Sequence, residues 1–228
     1  MICIIPARKG SNRIKNKNFI SFDDKPIILK LIQNLEKFKF FSEIVVSTNS
    51  EEIINILKKT KVKIFRRKEK LSDDKTDTKT VIQDVIKKLY SKNKLQYSKI
   101  FCVYPTSIFL KLKHLKSGVK KLNNKTPFVF SVKKYSHPIN RSFYRDKNKK
   151  IRLNFKFNPK ISTKNYIESY HDAAQFYLGW KNSWLSKKKF FDENSDFVIF
   201  DYLESHDIDN LDDLKIAKKL YKLSRNDL

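Results

Sequence analysis

Five short runs of β-branched and aromatic residues recur down this chain with little polar alternation: Ile2 to Ile5, Glu43 to Ser47, Val62 to Phe65, Ile100 to Tyr104 and Phe128 to Val132. A strand that faces water on one side alternates apolar with polar residues, so unbroken runs predict strands covered on both faces, as in a parallel sheet. Between them lie stripes of helical period: Ile28, Leu31, Ile32, Leu35 and Phe38, then Ile53, Ile54 and Leu57, then Val81, Val85, Ile86 and Leu89. Asn49, three residues before Glu52, fits a capping arrangement for the second helix, and Thr78 precedes the third stripe. This alternation predicts an α/β fold with a doubly wound, mostly parallel sheet. In such a fold the ligand crevice lies beyond the carboxyl ends of the strands.

With 228 residues the chain is long enough for one such domain with an embellishment, and a single domain over 1–228 is expected. Tyr135 to Tyr166 is the embellishment, since it is rich in charge and aromatics, holds Pro138 and Pro159, and shows no sustained period. Strand-like runs return at 175–178 and 197–200. Leu211, Leu214, Ile216, Ala217, Leu220 and Tyr221 then mark a closing helix, capped by Asp209 or Asn210. No apolar run approaches the roughly 20 residues that cross a bilayer, and Ile2 to Pro6 is too short for the apolar core of a signal peptide. A soluble, cytoplasmic protein is expected. Cys3 and Cys102 each sit inside an apolar run and make no disulfide framework.

The formal net charge of +26 admits nucleic acid, acidic lipid or small anions as partners, but Lys is spread along the whole chain, as a general compositional bias would produce. A nucleic-acid module would cluster its basic residues with exposed aromatics, whereas here Phe and Tyr fall largely within strand and helix patterns.

Candidate chemistry sits in the loops that follow strands. After the first come Arg8, Lys9, Gly10, Ser11, Arg13, Lys15 and Lys17. Three glycines in the chain leave no room for a dinucleotide fingerprint, and no Gly-Lys-Ser/Thr of a Walker loop is present. Gly10 and Ser11 can still turn backbone N–H groups toward a phosphate, with Arg8, Arg13 and Lys17 adding charge-assisted bonds. Ser47-Thr48-Asn49 follows the second run, Arg66-Arg67 the third and Tyr104-Pro105-Thr106 the fourth. Near the far end stands HDIDNLDDL. Residues two apart in an extended segment face one side, so Asp207 and Asp209 can present both carboxylates to one cation, and oxygen donors with open positions suit Mg²⁺. Asp residues before a helix are also commonly caps; it is the anion loop at the other end that makes the pair the expected counterpart of a nucleoside triphosphate site.

Ile4-Ile5-Pro6-Ala7-Arg8-Lys9-Gly10-Ser11-Asn12-Arg13-Ile14, with Lys17-Asn18 following, resembles the I-P-A-R-x-G-S-x-R-I-x-x-K-N signature of the CMP-nonulosonic (sialic) acid synthetase family. The likeness runs nearly end to end through Ser47-Thr48-Asn49, Arg67 with Leu71, Tyr104-Pro105-Thr106 and Asp207-Ile208-Asp209. Tyr170-His171-Asp172-Ala173-Ala174-Gln175-Phe176-Tyr177 is most similar to the pseudaminic acid branch. The chain departs from the family pattern at Lys9, Asn12 and Asn49, where Gly, Lys and Asp are frequent.

The resemblance implies a nucleotide-diphospho-sugar transferase-like fold and a Mg²⁺-dependent reaction of CTP with a nine-carbon sugar acid, giving a CMP-sugar and pyrophosphate. Pseudaminic acid is the expected sugar; N-acetylneuraminate, legionaminate and 3-deoxy-manno-octulosonate are the alternatives, and a non-catalytic CTP-binding relative is the alternative of another class. Carried over by position, Arg8, Ser11, Arg13, Lys17 and Asn18 would surround the triphosphate, with Arg67 and Thr76 near the nucleoside. Arg8 and Lys17, with the metal-holding Asp207 and Asp209, would be catalytic. Tyr104, Thr106, His171, Asp172 and Gln175 would face the sugar acid, and His171 could equally be a structural residue bonded to Asp172. The resemblance further implies a homodimer in which 135–166 forms an arm toward the partner's site, with Arg141, Arg145 and Arg152 as candidate anion contacts.

Overall fold

The structure is a computed structural model that describes residues 1–10, 13–91, 97–156, 160, 162 and 165–226. Its centre is a seven-stranded sheet made of β1 (Ile2–Pro6), β4 (Glu43–Thr48), β5 (Lys63–Arg66), β6 (Lys99–Val103), β7 (Phe128–Lys134), β10 (Tyr170–Trp180) and β11 (Asp196–Phe200), in the order β11-β7-β10-β6-β1-β4-β5. All five expected runs are strands in this sheet. β1 pairs in parallel with β4 and β6, β4 with β5, and β7 with β11. Only β10 runs the other way, antiparallel to both β6 and β7.

The unbroken apolar runs are explained by helices on both faces. Along β1, Cys3 and Ile5 pack with α1 (Ile27–Lys37), α2 (Glu51–Leu57) and α4 (Leu112–Lys121), while Ile2 and Ile4 point the other way, toward α3 (Thr78–Ser91) and Trp184 of α5 (Lys181–Leu185). Each such side chain is fully buried, and burial of one Ile contributes about 1.5–3 kcal/mol. Gly179 of β10 is forced by this packing, since a Cβ there would stand 2.5 Å from the Phe128 ring.

A third apolar cluster fixes the active end. Ile14 of the opening loop, Phe22, Ile27, Ile108, Phe109 and Ile208 pack against Leu214 and Ala217 of α6 (Leu211–Asn226). Segments far apart in sequence are thereby anchored around one apolar plug. The short hairpin β2 (Ser21–Phe22) and β3 (Lys25–Pro26) leads into α1.

The caps differ in part from expectation. Ser50, not Asn49, caps α2, its Oγ accepting the Ile53 N–H at 3.3 Å. Asn49 instead accepts the Lys9 N–H at 2.7 Å and donates to Glu69. Asp77 accepts the Thr80 N–H at 2.7 Å, which leaves Thr78 as the first residue of α3. At α6 the cap is Asn210, whose Oδ1 accepts the Asp212 and Asp213 N–H groups at 2.9 Å each. Asp209 is therefore released from capping.

The 135–166 region contains a hairpin of β8 (Phe143–Arg145) and β9 (Ile151–Leu153), with Phe143 64% and Ile151 63% exposed. Arg145 bonds the Lys149 carbonyl at 3.1 Å and Arg152 bonds Asp146 at 2.9 Å. Pro159 lies outside the described residues. Among the described residues no helix is long and apolar enough to cross a membrane.

Candidate active site

The carboxyl ends of β1, β5 and β6 and the amino-terminal part of β10 open on a cavity of about 410 Å³. Its lining includes Arg8, Arg13, Lys17, Asn18, Arg67, Thr76, Tyr104, Thr106, Asp172, Asp207 and Asp209. Eleven of the fourteen residues singled out from sequence thus meet in one place. Ser11 lies outside the described residues. His171 is exposed, its ring tilted against that of Tyr135 with centroids 5.0 Å apart, and does not line the cavity. Gln175 is fully buried, its amide turned to the Ala173 carbonyl at 2.8 Å, so its side chain serves the backbone rather than the cavity.

The basic wall is built by the opening loop. Gly10 adopts φ +79°, the left-handed region that suits glycine, and lets the chain turn sharply after Arg8. Lys17 and Asn18 begin a single turn of 3₁₀ helix at Lys17–Phe19, and Asn18 locks the loop by donating to the Arg8 carbonyl at 3.0 Å. Arg67 rises from the end of β5 and is buried, donating to the Ser47 carbonyl at 2.9 Å and to its hydroxyl at 3.3 Å. Burial, with the nearby Arg8 charge, lowers its pKa to about 10, which leaves it a cation at neutral pH.

Opposite stand the carboxylates. Ile208 is fully buried in the third apolar cluster, so the extended segment 207–209 turns both flanking Asp residues to the cavity. Lys17 Nζ donates to Asp209 Oδ1 at 2.9 Å and Arg13 donates to Oδ2. Burial alone would raise the Asp209 pKa, but the hydrogen bond and charge of Lys17, with Arg13, outweigh it and hold the carboxyl low. Asp207 is reached by solvent on one side, yet loss of water around it pushes its pKa up; Lys17 opposes that shift and the Asp209 charge adds to it. Two carboxylates that repel each other across an extended segment form an oxygen-only donor set, which fits a hard divalent cation. Among the described residues no group of three or more His, Cys, Asp or Glu side chains is placed to hold a metal ion, so the rest of such a shell would come from ligand and water.

Three further residues, Asp73, Asp74 and Tyr177, line the cavity though sequence reasoning did not single them out. Asp73 and Asp74 lie in the loop before α3; Asp74 accepts from Arg8, while Asp73 accepts the Thr76 N–H at 2.8 Å and its hydroxyl at 2.6 Å. The signal was present in the run Ser72-Asp73-Asp74-Lys75-Thr76, where Asp three residues before Thr reads as a local turn. Tyr177, from β10, donates to Asp172 Oδ2, and Tyr104 shares a 2.7 Å hydrogen bond with Thr78. Burial raises the pKa of both phenols, so they stay protonated. Asn49, bound to Lys9 and Glu69, is not among the lining residues.

The arrangement can therefore hold a polyanion against Arg8, Arg13, Lys17 and Arg67, a hard cation against Asp207 and Asp209, and a hydroxylated ligand against Tyr104, Thr106 and Asp172.

A family model described as cytidylyltransferase matches residues 2–200. Pseudaminic acid cytidylyltransferase of Campylobacter jejuni subsp. jejuni serotype O:2 is 36% identical over 225 residues, spanning 98% of this chain and 97% of that protein. N-acylneuraminate cytidylyltransferase of Escherichia coli O18:K1:H7 is 29% identical over 221 residues, 95% of this chain and 51% of that one. Among solved structures, CMP:2-keto-3-deoxy-manno-octonic acid synthetase complexed with CTP superposes with a TM-score of 0.69 at 11% identity, covering 98% of each chain, a likeness of fold.

Proposed function

The chain belongs to the cytidylyltransferase family, and from that premise we propose that it transfers CMP from CTP to the anomeric hydroxyl of pseudaminic acid, releasing pyrophosphate. The observation that carries this reading is the facing of a basic wall, Arg8, Arg13 and Lys17, against the Asp207 and Asp209 carboxylates in one cavity at the strand ends. The 36% identity over nearly all of both chains supports the choice of sugar.

Arg8, Arg13 and Lys17 bind the triphosphate, with Ser11 and Asn18 beside it, and Arg67 and Thr76 hold the nucleoside end. Arg8 is paired with Asp74, and Arg13 and Lys17 with Asp209. These side chains exchange carboxylate for phosphate on binding, so the cations are already aimed into the cavity. Asp207 and Asp209 would hold Mg²⁺, which would supply charge neutralisation at the phosphates. Tyr104, Thr106 and Asp172 orient the sugar acid. Attack of a hydroxyl on the α-phosphate requires positioning and neutralisation of developing charge more than covalent help, and Arg8 and Lys17 supply that neutralisation.

Residues 1–228 form one cytidylyltransferase domain, with partners CTP and a nine-carbon sugar acid rather than nucleic acid or membrane, and the enzyme works in the cytoplasm. It works as a homodimer through the 135–166 arm, a reading supported by the exposed Phe143, Ile151 and Leu153 on that hairpin.

The test is pyrophosphate release by purified protein with CTP and Mg²⁺, comparing pseudaminate with N-acetylneuraminate. Release with pseudaminate is expected. Release with N-acetylneuraminate alone would keep the reaction and replace the sugar, and silence with every sugar acid would refute the proposal.

A further inference from the structure

β10 is broken by a large bulge at the cavity wall. Asp172 pairs with Val132 and Tyr177 with Phe130, so β10 advances five residues where β7 advances two. Within the bulge Ala174 adopts φ 49°, a left-handed conformation that costs a non-glycine residue free energy and persists only where surrounding contacts enforce it. Those contacts are explicit. Ser131 Oγ, opposite the bulge, accepts the Gln175 N–H at 2.9 Å and the Phe176 N–H at 3.2 Å. Gln175 braces it from within through the Ala173 carbonyl at 2.8 Å, and its own carbonyl accepts from Ser107 Oγ at 2.8 Å.

The strained turn brings two donors onto one carboxylate. The Ala174 N–H meets Asp172 Oδ1 at 2.9 Å and the Tyr177 hydroxyl meets Oδ2, so each oxygen keeps acceptor capacity while its direction is fixed. Ala174, Tyr177 and Asp172 all line the cavity. We propose that Tyr177 is a positioning residue for sugar selection: through the bulge it fixes the Asp172 carboxylate as an acceptor for hydroxyl or amide N–H donors of the sugar acid. Gln175 supports the same carboxylate from beneath without touching the ligand. The identity of the sugar acid rests on the function proposed above.

Tyr177→Phe keeps the ring and its stacking on Phe190, 4.5 Å between centroids, and removes only the hydroxyl. The calorimetric Kd for pseudaminate, and its KM, are expected to rise about tenfold, as loss of one hydrogen bond to a charged group implies, with the KM for CTP within about twofold. Asp172→Asn is expected to weaken pseudaminate binding at least as much. The double variant is expected to be no worse than Asp172→Asn alone, because Tyr177 acts through Asp172. An unchanged pseudaminate Kd in Tyr177→Phe, losses that multiply in the double variant, or a CTP KM that rises in step would overturn the inference, as would a wild-type chain that fails to bind pseudaminate. Wild-type protein that binds pseudaminate yet releases no pyrophosphate would instead refute the proposed reaction and leave the positioning role intact.

Discussion

Replacing Glu204 by Gln is expected to loosen the segment that carries Asp207. Glu204 sits three residues before Asp207 and is clasped by α4: Lys113 Nζ at 2.6 Å, Lys111 Nζ at 2.9 Å and His114 Nε2 at 3.0 Å. His114 is buried and stacked on Phe200; its Nδ1 accepts the Lys111 N–H at 3.1 Å, which leaves Nε2–H to donate to Glu204. Burial lowers the His114 pKa and keeps it neutral. For Glu204 burial acts to raise the pKa, but Lys113, Lys111 and His114 overcome it and bring it down to about 2. Glu204 is 12% exposed, but Lys111 and Lys113 are 56% and 57% exposed, so solvent screens part of these bonds. A depression from 4.5 to about 2, at 1.36 kcal/mol per unit, sets an upper bound on the order of 3 kcal/mol, and with the lysines more than half exposed screening leaves roughly half of it at neutral pH. For a chain of this length about 2–4 °C of melting temperature accompanies each kcal/mol, so Glu204→Gln should melt about 3–6 °C lower at pH 7.

The pH dependence has a definite sign. A carboxylate depressed in the folded state stabilises above its unfolded pKa, about 4.3, and that stability is lost as pH falls from there through about 2. The difference between wild type and variant should therefore be full at pH 7 and close progressively between about pH 5 and pH 2. Thermal melts followed by circular dichroism measure it. Equal melting temperatures at pH 7, or a gap that persists unchanged at pH 2, would refute the clasp. Because Asp207 lies on the segment that Glu204 anchors, the variant should also need more Mg²⁺ for half-maximal turnover.

Replacing Asp207 or Asp209 by Asn should abolish Mg²⁺-supported turnover while leaving the circular dichroism spectrum intact, and full activity in both variants would remove them as metal ligands. Arg8→Ala should lower kcat by about 10- to 100-fold, the worth of a charge-assisted hydrogen bond made to the transition state, with a smaller effect on the KM for CTP; an unchanged kcat would make Arg8 a solvated loop residue. Phe143→Asp combined with Ile151→Asp should shift the protein toward monomer in sedimentation velocity, whereas an unaltered sedimentation coefficient would exclude the hairpin from the interface.

Much of the active end was legible because an α/β sheet gathers the loops after its strands, so the residues that follow β1, β5 and β6 had to meet. The DID segment was legible for a related reason: one buried Ile between two Asp turns both carboxylates the same way. What escaped depends on long-range geometry. β10 carries no sequence mark of its antiparallel direction, and its bulge breaks the alternation that would have told which way Gln175 points; it looks like a ligand residue in YHDAAQFY and is instead buried inside the turn. The α4 stripe, Leu112, Leu115 and Val119, is obscured by the lysines around it, and its clasp joins His114 to a Glu ninety residues away. The Arg8–Asp74 pair likewise spans 66 positions and leaves no local pattern.

CMP transfer is best followed through phosphorus resonances while the protein acts on CTP, Mg²⁺ and pseudaminate. The triphosphate signals should be lost in step with the appearance of one phosphodiester and free pyrophosphate, with no change when Mg²⁺ or the sugar acid is left out. Appearance of CDP and inorganic phosphate instead, or a triphosphate that persists with every nonulosonic acid offered, would contradict it.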